Sequence, residues 1–517
     1  MIRLWKNRKK PAAWLLAGLM AMSAALSACG NGGGAGETQG GASSGPSSQA
    51  ATPESIRIMS QFFGAAPPAA DNPVELKIEE ATNTKLDIEW VSANNYKDKF
   101  NVTLASGDIP DLILVANPSD PVFRKAAEQG AFWDVAPYID QYPNLKDKIA
   151  PIAWEMTSIK GANYGVPRPR PVEGEAFYII RKDWLENVGL PEPTTPEQLY
   201  EVMKAFTTQD PDGNGQNDTI GLAGQADPDG MGLLAEVERM FNRAYGEWKL
   251  QEDGTLVNLT VTPETRESLV YLTNAYREGL IPLDFASLKL SQVKDMFKAG
   301  KAGILVEKAG AMQEYYEALK ATVPDLAFTD LYPLTNVNEY NPKGSGYSGL
   351  NAIPKTVSED KMKRILAMLD SWSADGVFKL HQQGIEGIHH TLQNGEAVLN
   401  AEKITADAIG EYSQIVYVAD PYASSVKVTF PDEAKELYKK IQDEREKTSV
   451  ENVGAPLVSE TGQSYLPEFR KTVQDLKTKV ILGQKTIEDW DAFVASLASN
   501  ETFKKMTEEI NEAYKNK

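Results

Sequence analysis

Three prolines at alternate positions, Pro167, Pro169 and Pro171, punctuate the run VPRPRP from Val166 to Pro171. Each proline fixes its own φ and pushes the preceding residue into an extended conformation. The run is therefore a stiff extended strap that no helix can absorb. Gly161 marks a tight turn ahead of it. Phe177–Arg181 (FYIIR) reads as a strand beyond it, followed by a helix, a proline loop and a second helix. A rigid strap between two α/β-patterned stretches is expected to cross between two lobes.

The chain ahead of the strap alternates. Ser55–Ser60 reads as a strand, Val74–Thr82 as a helix closed by Asn83, and Lys85–Val91 as a second strand. Asn95–Ser106 is a helix stopped by Gly107. The apolar run Asp111–Val115 (DLILV) suits a buried parallel strand, and Val122–Gln129 is a helix ended by Gly130. This order implies an α/β sheet covered on both faces. Beyond the strap, helices are expected at Leu233–Tyr245, at Pro263–Glu278 behind the cap Thr262, and at Leu288–Ala299. Lys301–Val306 reads as a buried strand making a second crossing, and Gly346–Pro354 as a third, back into the second lobe. The rest is helix-rich, ending in Ile487–Leu497 and Glu501–Lys515. These readings place 54–166 and 303–345 in an N-terminal lobe, and 172–300 and 352–517 in a C-terminal lobe.

The first residues read as a leader (1–28). Arg3, Lys6, Arg8, Lys9 and Lys10 form a basic head. Ala12–Leu26 is mostly apolar but shorter than a membrane-spanning helix needs. It ends in Leu-Ser-Ala-Cys29, small residues before the one cysteine of the chain. This resembles a bacterial lipoprotein precursor, in which Cys29 would carry a diacylglyceryl thioether. Two acyl chains satisfy the two-signal requirement for stable anchoring, outside the cytoplasm and on the outer face of the cell membrane. Residues 29–53, rich in Gly, Ser, Ala and Gln, suit a flexible tether reaching about 25 Å. Removing the leader takes away five positive charges and no negative ones, so the net charge goes from −19 to −24. That balance argues against nucleic acid and against a polybasic membrane contact.

The loop Asp210-Pro-Asp-Gly-Asn-Gly-Gln-Asn-Asp218 places side-chain oxygens at positions 1, 3, 5 and 9 and glycine at 6. With the Gln216 carbonyl at position 7, this is the spacing by which an EF-hand-type loop wraps calcium. Asp210, Asp212, Asn214, Gln216 and Asp218 are the candidate ligands. A solvated Asx/Gly turn is the alternative. Position 12 is Gly221, so the usual bidentate glutamate is absent.

ASGDIPDLILVAN (Ala105–Asn117) followed by GAFWDVAPYIDQYPNL (Gly130–Leu145) resembles the N-terminal lobe of the extracellular solute-binding proteins of carbohydrate ABC importers. YGVP, RKDWL, the DPDGNGQND loop and ILGQKTIEDWDAFVASL (Ile481–Leu497) are similar to the oligosaccharide-binding lipoprotein branch of that family. The resemblance runs from Cys29 nearly to the end. It implies a two-lobed periplasmic-binding-protein-like α/β fold of type II, joined by several hinge crossings. It also implies an oligosaccharide ligand, the membrane subunits of an ABC transporter as partners, a monomer, and no catalysis.

An enzyme remains the alternative, because 72 acidic residues can supply a glycosidase pair anywhere. The chain has no G-x-S-x-G, H-E-x-x-H or Walker loop. Its three histidines, His381, His389 and His390, read as a surface or groove loop. A peptide or another non-sugar ligand also stays open. A sugar site needs aromatic platforms and paired hydrogen-bonding side chains. Beside the crossings and at strand ends, Trp154, Arg168, Arg170, Tyr178, Glu307, Tyr347 and Trp372 meet that demand. Gln61 and Asn117 do so at the C-terminal ends of the first and third strands. The two arginines lean toward an acidic sugar. Trp184 and Trp490 are expected to pack helices onto their sheets.

Overall fold

The computed structural model describes residues 53–516 except 65, 394 and 428. Cys29, the leader and nearly all of the tether lie outside the described residues.

Two separate sheets organise the chain. In the first, the strand order is Thr84–Ser92, Glu54–Phe62, Leu112–Val115, Tyr347–Ala352, Val166–Pro169. The first three strands are parallel, with Ile58 level with Ile88 on one side and Leu112 on the other. Tyr347–Ala352 runs antiparallel to both of its neighbours. The alternation read from the sequence therefore builds one lobe. Leu112–Val115 is buried along its whole length, as an apolar run in a sheet covered on both faces must be. Its helices carry the expected punctuation. Asn72 caps Pro73–Thr82 and Asn83 closes it in the left-handed conformation, while Gly107 (φ 76°) ends Tyr96–Ser106.

The second sheet has the order Leu331–Pro333, Phe177–Arg181, Ala302–Glu307, Ile220–Ala223. Tyr178 and Ile180 face one core with Trp184, Phe206 and Trp490; Ile179 and Leu305 face another with Phe297 and Tyr315. Trp184 and Trp490 are buried, as expected of helix anchors. The C-terminal helices Glu460–Ile481, Ile487–Leu497 and Glu501–Lys515 complete the first of these cores.

The crossings differ from expectation in two places. The strap Val166–Pro171 is as read: Val166–Pro169 is the edge strand of the first sheet, and the chain enters the second at Phe177. Lys301–Val306 is not a crossing. Ala302–Glu307 pairs with Phe177–Arg181 and with Ile220–Ala223, inside the second sheet. The segment 303–345 therefore belongs with the second lobe, not the first. Gly346–Pro354 does cross, but into the first lobe: the chain leaves the second sheet at Pro333 and enters the first at Tyr347. Glu359–Ser373 and Asp375–Gln383 then pack in the first lobe's core, through Met362, Ile365, Leu369 and Phe378. The third crossing lies between Val416, in the first lobe's core, and Phe430, in the second's. The assignment of 352–517 to the C-terminal lobe holds only beyond that point.

Candidate functional site

Strand direction places the cleft. The chain leaves the first sheet at Pro169 and re-enters it at Tyr347, and these residues are partners in the ladder. The parallel strands ending at Phe62, Ser92 and Val115 end on the same side. In the second sheet, Phe177 lies opposite Glu307, and Ile220–Ala223 runs parallel to Ala302–Glu307, so Ala223 ends there too. The ends joined by the crossings therefore face one another. This is where open α/β sheets bind ligands, outside strand C-termini.

Two connected spaces lie between walls drawn from both lobes. One, of about 420 Å³, has Asn117 and Ser119 on the first lobe and Glu247, Trp248, Asn452 and Arg470 on the second. The other, of about 890 Å³, has Arg124 and Lys160 facing Val458 and Glu460. They share Leu457, Val458 and Gln463. Both spaces fall within the range of about 300–1,000 Å³ that small-molecule ligands occupy. Arg470 is held in a two-pronged ion pair by Glu247, at 2.5 and 2.8 Å.

The expected ligand residues divide. Asn117 is exposed on the cleft wall, with its side chain accepting from Ser119 N at 3.0 Å. Gln61 lies half-buried at the end of its strand. Phe63, two residues further on, is 66% exposed and is the ring most open to solvent at that end. Glu307 is at the cleft end of its strand but engaged: it accepts from Tyr315 Oη at 2.9 Å and pairs with Lys294 at 2.6 Å. Tyr347 and Trp154 are half-buried against the first lobe's core. Tyr178 and Trp372 are fully buried and are core residues, not cleft residues. The Tyr178 hydroxyl is pushed well above its ordinary range by burial.

The histidines are not on a surface loop. His381 is buried, accepts from Trp372 Nε1 at 3.1 Å, and is drawn down to about 3 by burial. His389 is buried with Nε2 2.9 Å from Asp407. His390 Nδ1 lies 2.8 Å from the Gln383 carbonyl.

Arg168 and Arg170 flank Pro169 at the root of the first crossing. Arg168 is 1% exposed and makes one side-chain bond, Nη2 to Gln414 Oε1 at 2.7 Å. Among the described residues, its Nε and Nη1 have no hydrogen-bond partner. Arg170 lies 4.1 Å over the ring of Tyr417, and its backbone N–H donates to the Gly346 carbonyl at 2.7 Å. It thus touches all three crossings. Gln414 and Tyr417 carry no sequence signal of their own, because they reach the strap only through the third crossing.

The Asp210–Asp218 loop folds around its own side chains. Asp210 accepts from Asn214 N (3.0 Å) and Gly215 N (2.9 Å), and Asn214 Nδ2 donates to Asp212 (2.9 Å) and Asp218 (3.1 Å). Gly215, at the sixth position, takes φ 81°, the sharp turn that position requires. Lys301 pairs with Asp218. Among the described residues, no group of three or more His, Cys, Asp or Glu side chains is gathered as a metal site. Even so, the donor set fits a cation. Asp212 Oδ1 is buried without a partner, and burial and the neighbouring Asp210 carboxyl raise the Asp212 pKa.

Among the described residues, no helix is long and apolar enough to cross a membrane. Residues 64–356 match the bacterial extracellular solute-binding protein family. The chain is 30% identical to lipoprotein LipO of Bacillus subtilis, over 83% of this chain and 86% of that one. It is also 30% identical to the polygalacturonan/rhamnogalacturonan-binding protein YtcQ of the same organism, over 85% and 87%. An HMO-binding, ABC-transporter-associated solute-binding protein from Bifidobacterium longum infantis shares its fold, with a TM-score of 0.69 and 19% identity over 90% of this chain and 99% of that one. The two facing sheets, the crossings between them and the match over most of the folded part agree: the chain belongs to the bacterial extracellular solute-binding protein family.

Proposed function

We propose that this protein is the substrate-binding component of an ABC importer and captures an oligosaccharide between its lobes. The observation that carries the reading is the pair of adjoining spaces, of about 420 and 890 Å³, each walled by residues of both lobes. Its relative YtcQ is named for binding polygalacturonan and rhamnogalacturonan. Ligand bridging the lobes favours the closed arrangement over the open one, and release leaves the sugar chemically unchanged. The closed form then docks on the membrane subunits of the importer. Asn117, Gln61, Tyr347, Trp154 and the exposed Phe63 are the proposed contacts at the cleft ends, with Glu307 positioning Lys294 and Tyr315. A diacylglyceryl group on Cys29 would hold the monomer at the outer face of the membrane, and LipO's name as a lipoprotein supports that reading.

Calcium in the Asp210–Asp218 loop would be structural. Asp210, Asp212, Asn214, the Gln216 carbonyl and Asp218 would hold it, and it would neutralise carboxylates that now face one another. Incubation with a panel of plant-derived oligosaccharides tests the main reading. Calorimetric binding with no new products by chromatography supports it, and product formation overturns it.

A further inference from the structure

A guanidinium is rarely buried without an acceptor, because desolvating a charge costs several kcal/mol unless it is paired. Arg168 breaks that rule. It is 1% exposed, two of its nitrogens have no partner, and its one bond is to a neutral amide, Gln414. The charge acting on it most strongly is a second cation, Arg170, which with burial draws the Arg168 pKa down to about 9. Among the described residues Arg170 pairs with no carboxylate either: its guanidinium rests on the Tyr417 ring and donates to the Pro169 carbonyl at 2.8 Å. Two neighbouring guanidinium groups without a counter-ion therefore sit where the first crossing leaves its sheet. In a chain of net charge −19, the missing counter-ion is not for want of carboxylates. The pair is kept free of them.

We propose that Arg168 and Arg170 form an anion subsite for the carboxylate of a uronic-acid unit, capped in this structure by Gln414 and Tyr417. The proposal rests on the oligosaccharide-binding reading above and names the class of sugar. The planar fork of arginine matches a carboxylate in a way that a point charge does not. The space beside Arg168, lined also by Val416 and Tyr417, is about 20 Å³, room for one water and not for a carboxylate. Entry therefore requires Tyr417 to move aside and Gln414 to give up its bond to Arg168. Both stand on the segment leading into the third crossing, so carboxylate capture and lobe movement are coupled at one place.

The test compares trigalacturonate with its fully methyl-esterified form, the same sugar without the charge, by calorimetry at low and high salt. The acid should bind at least about tenfold tighter than the ester, a preference that shrinks with salt. Arg170→Gln should abolish the preference while leaving ester binding within about threefold, and Arg170→Lys should restore part of it. Equal affinity for acid and ester, or an undiminished preference in Arg170→Gln, would overturn the subsite and leave the oligosaccharide reading standing. Equal loss of both ligands in Arg170→Gln would assign Arg170 to the hinge alone and also overturn it. Binding of no sugar, charged or neutral, would overturn both.

Discussion

Removing the calcium proposed for the Asp210–Asp218 loop is the perturbation whose size the loop lets one work out. Three carboxylates, Asp210, Asp212 and Asp218, share a nine-residue loop, and position 12 offers no glutamate. That places the site at the weak end of EF-hand affinities, with a dissociation constant of about 10⁻⁴–10⁻³ M. At about 2 mM free calcium, binding to the folded state alone stabilises it by about 0.7–1.8 kcal/mol. For a lobe of this size that is an upward shift of about 1–7 °C in the melting temperature. The assay is differential scanning calorimetry in calcium, in magnesium and in excess chelator. Asp212→Ala should remove the calcium response. In chelator the same variant should be no less stable than the parent, because burial, and after it the neighbouring Asp210 carboxyl, disfavour the charge of the lost group. Sugar affinity should survive chelation, since the loop precedes Ile220–Ala223 at the end remote from the cleft. Identical melting curves in calcium and chelator would refute the reasoning, as would an Asp212→Ala variant that keeps the shift.

Trp372→Ala, which empties a fully buried site in the first lobe's core, should cost about 3–5 kcal/mol in denaturant unfolding. His381 gives a pH prediction with a definite sign. Burial holds its folded pKa near 3, below the unfolded value near 6.5. Its contribution is fully present above pH 6.5 and is lost as pH falls toward 3, by about 1.4 kcal/mol per pH unit inside that window. His381→Gln keeps an acceptor for Trp372 Nε1 without titrating, so its stability should fall less between pH 6 and pH 4 than that of the parent. Parallel pH profiles for the two proteins would contradict this.

Local pattern carried much of the fold. Phe177–Arg181, Ile487–Leu497 and Glu501–Lys515 stand at the residues read from periodicity and punctuation. So does the strap, because proline constrains the backbone wherever it sits. Long-range pairing was not legible. AGILV in Ala302–Val306 is an apolar strand in any sheet, and only its ladder with Phe177–Arg181 says which. Misplacing that one strand carried residues 303–345 into the wrong lobe. The later helices were misplaced for the same reason, since an apolar face does not state which core it joins. The register shift between Tyr347 and Leu350 was equally invisible. There Gly349 takes φ 78°, and a Cβ would come within 2.5 Å of the Val115 carbonyl oxygen.

The rule that ligands gather at strand C-termini pointed to Asn117 and Gln61: Asn117 lines a space between the lobes and Gln61 stands at the end of its strand, with Phe63 two residues on. Tyr178 and Trp372 failed because a ring in a strand or at a helix end packs a core as readily as it faces a sugar. The histidines were read by their neighbours in sequence. Their partners Trp372, Asp407 and the Gln383 carbonyl bury or hold them instead.

The claim on which everything else depends is that two lobes close on a sugar that leaves intact. Small-angle scattering of the purified protein, with and without a saturating oligosaccharide identified by calorimetry, tests it most directly. The radius of gyration should fall when the sugar is added and recover when it is dialysed away, with the sugar recovered at its original mass. An unchanged radius with the site full, or a recovered sugar shorter than the one supplied, would contradict it.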